Sequence, residues 1–319
     1  MKELLNIVVS CTKRKNQPVP AMLMLRSVRK VSLNDRCTDW IERLSSNKNK
    51  TPATNLYSGD HWKVAQSFKA LGEQKGYNVK LWVCSAGYGL ITSECTISPY
   101  SATFSPNNPD SVSKKITVGL SNNELCLWWE KLSNWQGPGT DNLPRTLEEL
   151  NSESPKSFIW VVASNEYLRS LSTDILNLTK SIKNPEHFSI FSAGTNSFPE
   201  VAPHLLPLDA RLQNLVGGTM GSLNVRIARN ALESVNKTGP SFVALKNRFD
   251  KLLQEQPALK SYNRKIMTDD EVKNYIQKNI RVNPSVNFSP LLRTFRDNGF
   301  ACEYKRFAKI FSQLKEPNG

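Results

Sequence analysis

Residues 79–91 read VKLWVCSAGYGLI. Val79, Leu81, Trp82, Val83 and Cys84 suit a buried strand. The side chains then shrink to Ser85, Ala86, Gly87 and Gly89, with Tyr88 between the two glycines. Small residues at a strand end let backbone amides and a ligand approach closely. The stretch therefore predicts a pocket floor over residues 85–89, with the Tyr88 ring as a wall on which a flat group stacks. The competing reading is a tight turn with Tyr88 packed on the core.

Three further apolar runs end in the same way, which favours the pocket. NIVVSC (6–11) closes on Ser10 and Cys11 before Thr12, FIWVVAS (158–164) leads into Asn165, and FSIFSAG (188–194) ends on Ser192, Ala193 and Gly194. None of the four alternates apolar with polar, as expected of strands covered on both faces. Between them lie helical patterns. Trp62, Ala65, Phe68 and Leu71 share one face of 59–76, and the same period runs through 122–134 and 165–182. Strands alternating with helices predict an α/β fold with a mostly parallel central sheet flanked by helices. Ligands of such sheets bind outside the carboxyl ends of the strands.

From Lys237 onward the pattern changes to helices without a strand signal. Thr268 and Glu271 form a capping box ahead of VKNYIQKNI, Ser289 and Pro290 open LLRTFRD, and Asn298-Gly299 closes it. In ACEYKRFAKIFSQL, Ala301, Tyr304, Phe307, Ala308, Phe311 and Leu314 make one stripe, with Lys305, Arg306 and Lys309 off it. Three short helices with a basic outer face read as a helix-turn-helix-like unit, or as a helical cap on the α/β core. The chain thus divides into an α/β domain over 1–236 and a basic helical region over 237–319.

Charge points to a polyanionic partner. The formal balance is +14, and residues 237–319 hold 16 Lys+Arg against 8 Asp+Glu, more than half of the surplus. A nucleic acid is the partner this favours, the alternative being a solvated basic surface. The six cysteines are scattered without a CxxC pair, and the three histidines lack ligand spacing, so no metal site is predicted. GxxxxGK[ST] is absent and GYGLIT misses the third glycine of a dinucleotide fingerprint, so no cofactor is predicted. No apolar run is long enough to span a bilayer, and MKELLNIVVSC lacks the pattern of a signal peptide. The expected location is cytoplasmic, with no membrane partner.

The densest chemical cluster is LYSGDHWKVAQ (56–66), which brings Tyr57, Asp60 and His61 together at a helix start. Ser58 or Asp60 serves as the cap of that helix, and a carboxylate there stays ionised, suited to stabilise charge or activate water. Asp209, in PLDARL, is a second carboxylate near a strand end, with Arg211 as a ready ion-pair partner. Residues 217–219 (GGT) precede a helical run from about Gly221 and can offer amides to an anion.

The blocks VVSCTKRK (8–15), LYSGDHW (56–62), CSAGYGLI (84–91) and PYSATF (99–104), in that order, resemble the YaaA-like group of DNA-associated α/β proteins. They resemble still more closely relatives in bacterial phage-defence loci, and the likeness continues loosely through 205–228 and 291–311. It implies a fold akin to uracil-DNA glycosylases. It also implies excision of a modified base, such as glucosylated hydroxymethylcytosine, from phage DNA. The GQDPY and HPSP motifs of uracil-DNA glycosylases are absent. On that reading the nucleotide flips into a pocket and a fixed carboxylate supports the oxocarbenium-like sugar. Asp60 is the first candidate for the carboxylate and Asp209 the second. His61, or the amides of Ser85, Ala86 and Gly87, serve the leaving base. Tyr57, Tyr88 and Tyr100 line the pocket with Ser10, Cys11, Ser58, Ser192 and Gly194. Lys13, Arg14 and Lys15 reach the nucleotide and its flanking phosphates, with Lys305, Arg306 and Lys309 holding DNA from the tail. The rivals are a base-exchanging transglycosylase of deazaguanine type and a DNA-binding protein without catalysis.

Overall fold

Each of the four apolar runs forms a strand of one sheet. The computed structural model describes residues 2–113, 120–138, 142–194, 201–259 and 263–315. Its strands are β1 (Glu3–Ser10), β2 (Thr51–Pro52), β3 (Tyr77–Ser85), β4 (Gly89–Thr92), β5 (Thr96–Ile97), β6 (Phe158–Val162), β7 (Phe188–Phe191), β8 (Lys265–Ile266) and β9 (Phe300–Ala301). The main sheet has the order β4-β3-β1-β6-β7, all parallel except β4. Leu5, Ile7, Val8 and Val9 of β1 are all fully buried, because helices cover both faces of this central strand.

The helices of the first part are α1 (Leu33–Ser46), α2 (Ala53–Leu56), α3 (Asp60–Gln74), α4 (Leu120–Asn134), α5 (Leu147–Glu153), α6 (Asn165–Ser170), α7 (Ser172–Ser181), α8 (Gln213–Val216), α9 (Leu223–Glu233), α10 (Val235–Thr238) and α11 (Phe242–Gln254). The helix expected over 165–182 is two, because the backbone flattens at Leu171 (φ −89°, ψ 0°) and α7 restarts from there.

The chain divides into two compact units, Met1–Pro257 and Ala258–Gly319. The division falls later than the expected boundary at 237. Val235, Leu245, Phe249 and Leu253, on α10 and α11, belong to the first hydrophobic core, so that stretch completes the α/β unit. All seven tryptophans lie in the first unit, and Trp40, Trp62, Trp82, Trp128, Trp129 and Trp160 are buried there.

The second unit has its own core of Val272, Ile276, Leu291, Leu292, Phe295, Cys302, Phe307 and Phe311. These side chains come from α12 (Asp269–Val282), α13 (Phe288–Asp297), α14 (Tyr304–Lys315) and the turn before α14. The capping box forms as expected: Glu271 N–H donates to Thr268 Oγ1 and Thr268 N–H to Glu271 Oε2. The cap of α13 is Asn287, two residues before the expected Ser289. The tail was expected to lack strands, yet β8 and β9 pair in parallel across it. Among the described residues no helix is long and apolar enough to cross a membrane.

Candidate active site at the switch point of the sheet

The strand order locates the site. From β1 the chain moves to β3 on one side, and later to β6 on the other, so the direction of winding reverses between β1 and β6. The crevice outside the carboxyl ends of those two strands is where open α/β sheets hold ligands. Cys11, just past β1, shares a 3.2 Å hydrogen bond with the hydroxyl of Tyr167, on the helix after β6. That contact bridges the reversal point.

A ring of phenols surrounds it. Tyr57 and Tyr100 hydroxyls lie 2.9 Å apart, and Tyr100 also bonds Ser85 Oγ at 2.7 Å. Burial raises the pKa of Tyr57, Tyr100 and Tyr167 well above the ordinary phenol value, with the neighbouring Cys11 adding to it, so all three stay protonated. Over two of these rings lies Lys15. Its Nζ is 4.9 Å from the Tyr57 centroid and 4.6 Å from that of Tyr100, and it donates to Thr12 O. Burial lowers its pKa to about 8, opposed by the Cys11 thiol. Lys15 was expected on the outer phosphates with Lys13 and Arg14; those two are exposed, but Lys15 turns inward. The reason is its bridge to Tyr57, which pairs this loop with the 53–57 turn and swings the side chain beneath it.

The small residues of SAGYG do not form a pocket floor. Ser85 to Gly89 is a hairpin turn into antiparallel β4. Tyr88 is fully buried, stacked on Trp135 at 5.9 Å and edge-on to Tyr100 at 5.2 Å, and its hydroxyl accepts from Ser98 N–H. Trp128 Nε1 donates to Ala86 O and Trp40 Nε1 to Gly87 O. The residues are small because neighbours fill the space: a Cβ on Gly87 would stand 2.5 Å from Tyr100 Cε2. Ala86, Gly87 and Tyr88 therefore support the ring cluster from behind and do not line the crevice. Tyr57 and Tyr100 are likewise closed off: both are fully buried, and their hydroxyls bond each other and Ser85 Oγ.

Asp60 opens α3, whose cap is Gly59 at φ 97°, so neither Ser58 nor Asp60 is the cap. The Asp60 carboxylate accepts two bonds from Arg226 of α9, at 2.6 and 3.2 Å, and these hold its pKa below the ordinary carboxylate range. The adjacent His61 donates from Nε2 to Ser10 O, at the end of β1. Burial lowers the His61 pKa to about 4, so the imidazole is neutral near pH 7 and positions the strand end instead of delivering a proton. On the same helix as Arg226, Asn224 donates to Ala163 O and accepts from Ala193 N–H, clamping the ends of β6 and β7. Ser192 is buried beside that clamp, while Gly194 is exposed and lies against Asn165. Asp60 and Arg226 thus stand with His61 and Asn224 over the strand ends.

Asp209 is committed elsewhere. It caps its own short turn through Arg211 N–H and pairs bidentately with the Arg211 side chain, which keeps its pKa low. In the second unit Lys305 and Lys309 are exposed, whereas Arg306 pairs with Asp269 in the first turn of α12 and is not a free cation. Residue patterns missed Tyr167, Asn224 and Arg226. Arg226 shares the polar face of its helix with Arg229, Asn230 and Glu233, so nothing in the pattern singled it out. No family model matches the chain, and no curated protein and no solved structure matches it.

Proposed function

We propose that the chain is a DNA glycosylase that draws a modified nucleotide out of the duplex and cleaves its N-glycosidic bond. The base would be of the glucosylated hydroxymethylcytosine kind found in phage DNA, and the work would be cytoplasmic. The observation that carries the reading is what gathers at the switch point: a recessed ammonium, a thiol and three protonated phenols, with an ionised carboxylate–guanidinium pair above the strand ends. Asp60 takes the role of the carboxylate that supports positive charge developing at C1′. Arg226 is suited to move from Asp60 onto the phosphate beside the flipped nucleotide. The charge of +14, and exposed Lys305 and Lys309 on the last of three short helices, support duplex DNA as the partner.

The test is incubation with DNAs that differ only in cytosine modification, followed by mass spectrometry of the released bases. Abasic sites formed without added base support hydrolysis. Release that requires a free base supports the transglycosylase, and binding without release supports the non-catalytic reading. Asp60→Asn is expected to lower release by about 100- to 1000-fold with binding retained. Asp209→Asn should stay near wild type. Full activity in Asp60→Asn would remove the carboxylate from the account.

A further inference from the structure

The least expected group at the switch point is Lys15. Its ammonium is recessed, forms no ion pair among the described residues, and rests on two aromatic faces and one carbonyl. Withdrawing a lysine from water without a carboxylate is costly, and a fold that keeps one at its ligand crevice has a use for it. Surface lysines serve phosphates equally well, and Lys13 and Arg14 already supply exposed cations in this loop. What a recessed lysine adds is an amine that is free as a nucleophile.

We propose that Lys15 is the nucleophile of an abasic-site chemistry in this crevice, forming an imine with C1′ of the flipped deoxynucleotide; the proposal rests on the excision reading above. The neutral amine attacks C1′, and a C1′–N bond to lysine replaces the bond to the base. The base leaves with the electron pair of the broken bond and takes the proton that the amine releases. The C1′–O4′ bond then opens, the remaining N–H proton passes to O4′, and a C1′=N imine results. Water hydrolyses the imine to the aldehyde and restores the amine, so no oxidant or reductant enters. On DNA that is already abasic, the same amine condenses with the C1′ aldehyde and releases water. The Cys11 thiol and the Tyr57 and Tyr100 rings are the groups that face the ammonium. A pKa of about 8 leaves part of the lysine neutral near neutral pH.

Borohydride reduction tests this, because it converts an imine to a stable secondary amine. Full-length protein is incubated with a duplex bearing one preformed abasic site, and in parallel with glucosylated hydroxymethylcytosine DNA. A reduced protein–DNA adduct that peptide mapping assigns to Lys15 is expected on the abasic duplex. Lys15→Arg keeps a cation over the two rings but has no primary amine, so it should melt at the wild-type temperature and give only background adduct. Lys156→Ala, at an exposed lysine ahead of β6 and so at the opposite ends of the strands, should give the wild-type yield. An adduct that persists in Lys15→Arg, or maps to another amine, overturns the proposal, and so does the absence of any adduct. Base release from modified DNA without an adduct overturns the imine and leaves excision standing. A Lys15 adduct on abasic DNA with no base release anywhere supports the imine and sinks excision.

Discussion

Arg145 shows how one side chain can hold a turn. Its guanidinium donates to the carbonyls of Tyr88, Leu90, Leu132 and Trp135, tying the β3–β4 hairpin to the end of α4. Burial lowers its pKa to about 10, so it remains charged at any pH the protein meets. Arg145→Ala strands those carbonyls and should cost about 3–5 kcal/mol in denaturant unfolding. A loss below about 1 kcal/mol would mean water replaces the arginine freely. Asp174 makes a pH prediction. It accepts from Trp129 Nε1 and Leu147 N–H, and burial pushes its pKa up to about 7. The folded state therefore keeps a proton that the unfolded chain releases above about pH 4. This contribution is complete below pH 4 and is lost as pH rises through about 7, up to roughly 4 kcal/mol. Wild type should lose stability relative to Asp174→Asn between about pH 4 and about pH 7 and run parallel to it above that. His61 acts in the opposite sense and is common to both proteins. Profiles parallel throughout would contradict the assignment.

At the scale of elements, the basic face of α14 separates into cations with different duties. Lys305 and Lys309 are exposed and form no ion pair among the described residues, whereas Arg306 holds Asp269 and so links the last helix to the first turn of α12. Replacing Lys305 and Lys309 together with Ala should reduce the slope of log affinity for duplex DNA against log salt by about 2. Arg306→Ala should leave that slope less changed and lower the stability of the tail. An unaltered slope in the double variant would take α14 out of DNA binding. Elements were also the most legible level of the sequence. The four parallel strands and most of their covering helices were readable, because burial on both faces leaves unbroken apolar runs. The β3–β4 hairpin was not. Gly87 and Gly89 are small for packing and for a positive φ, and composition cannot separate those needs from room for a ligand. Lys15 was equally hidden, since in CTKRK it looks like its exposed neighbours until strand and loop pairing turn it inward. Asp60 and His61 were found as a pair, but Arg226 lies 166 positions further on and only the packing of α3 on α9 brings it near.

For the whole molecule, the decisive fact is that the two units have separate hydrophobic cores. A unit of about 60 residues is marginal by itself, so its stability depends on a few large side chains. Phe295 is fully buried at the centre of the smaller core. Phe295→Ala should cost about 3–5 kcal/mol there and produce an early, low-enthalpy transition in calorimetry, with the main transition unmoved. A single shifted transition would show that the units unfold as one. The placement of the indoles decides which optical signal can follow each event. With every tryptophan in the α/β unit, intrinsic fluorescence excited at the indole band follows that unit alone and is blind to loss of the tail. A tail variant judged folded by its emission spectrum could still have an unfolded tail, which far-ultraviolet dichroism, summing over all helices, would register.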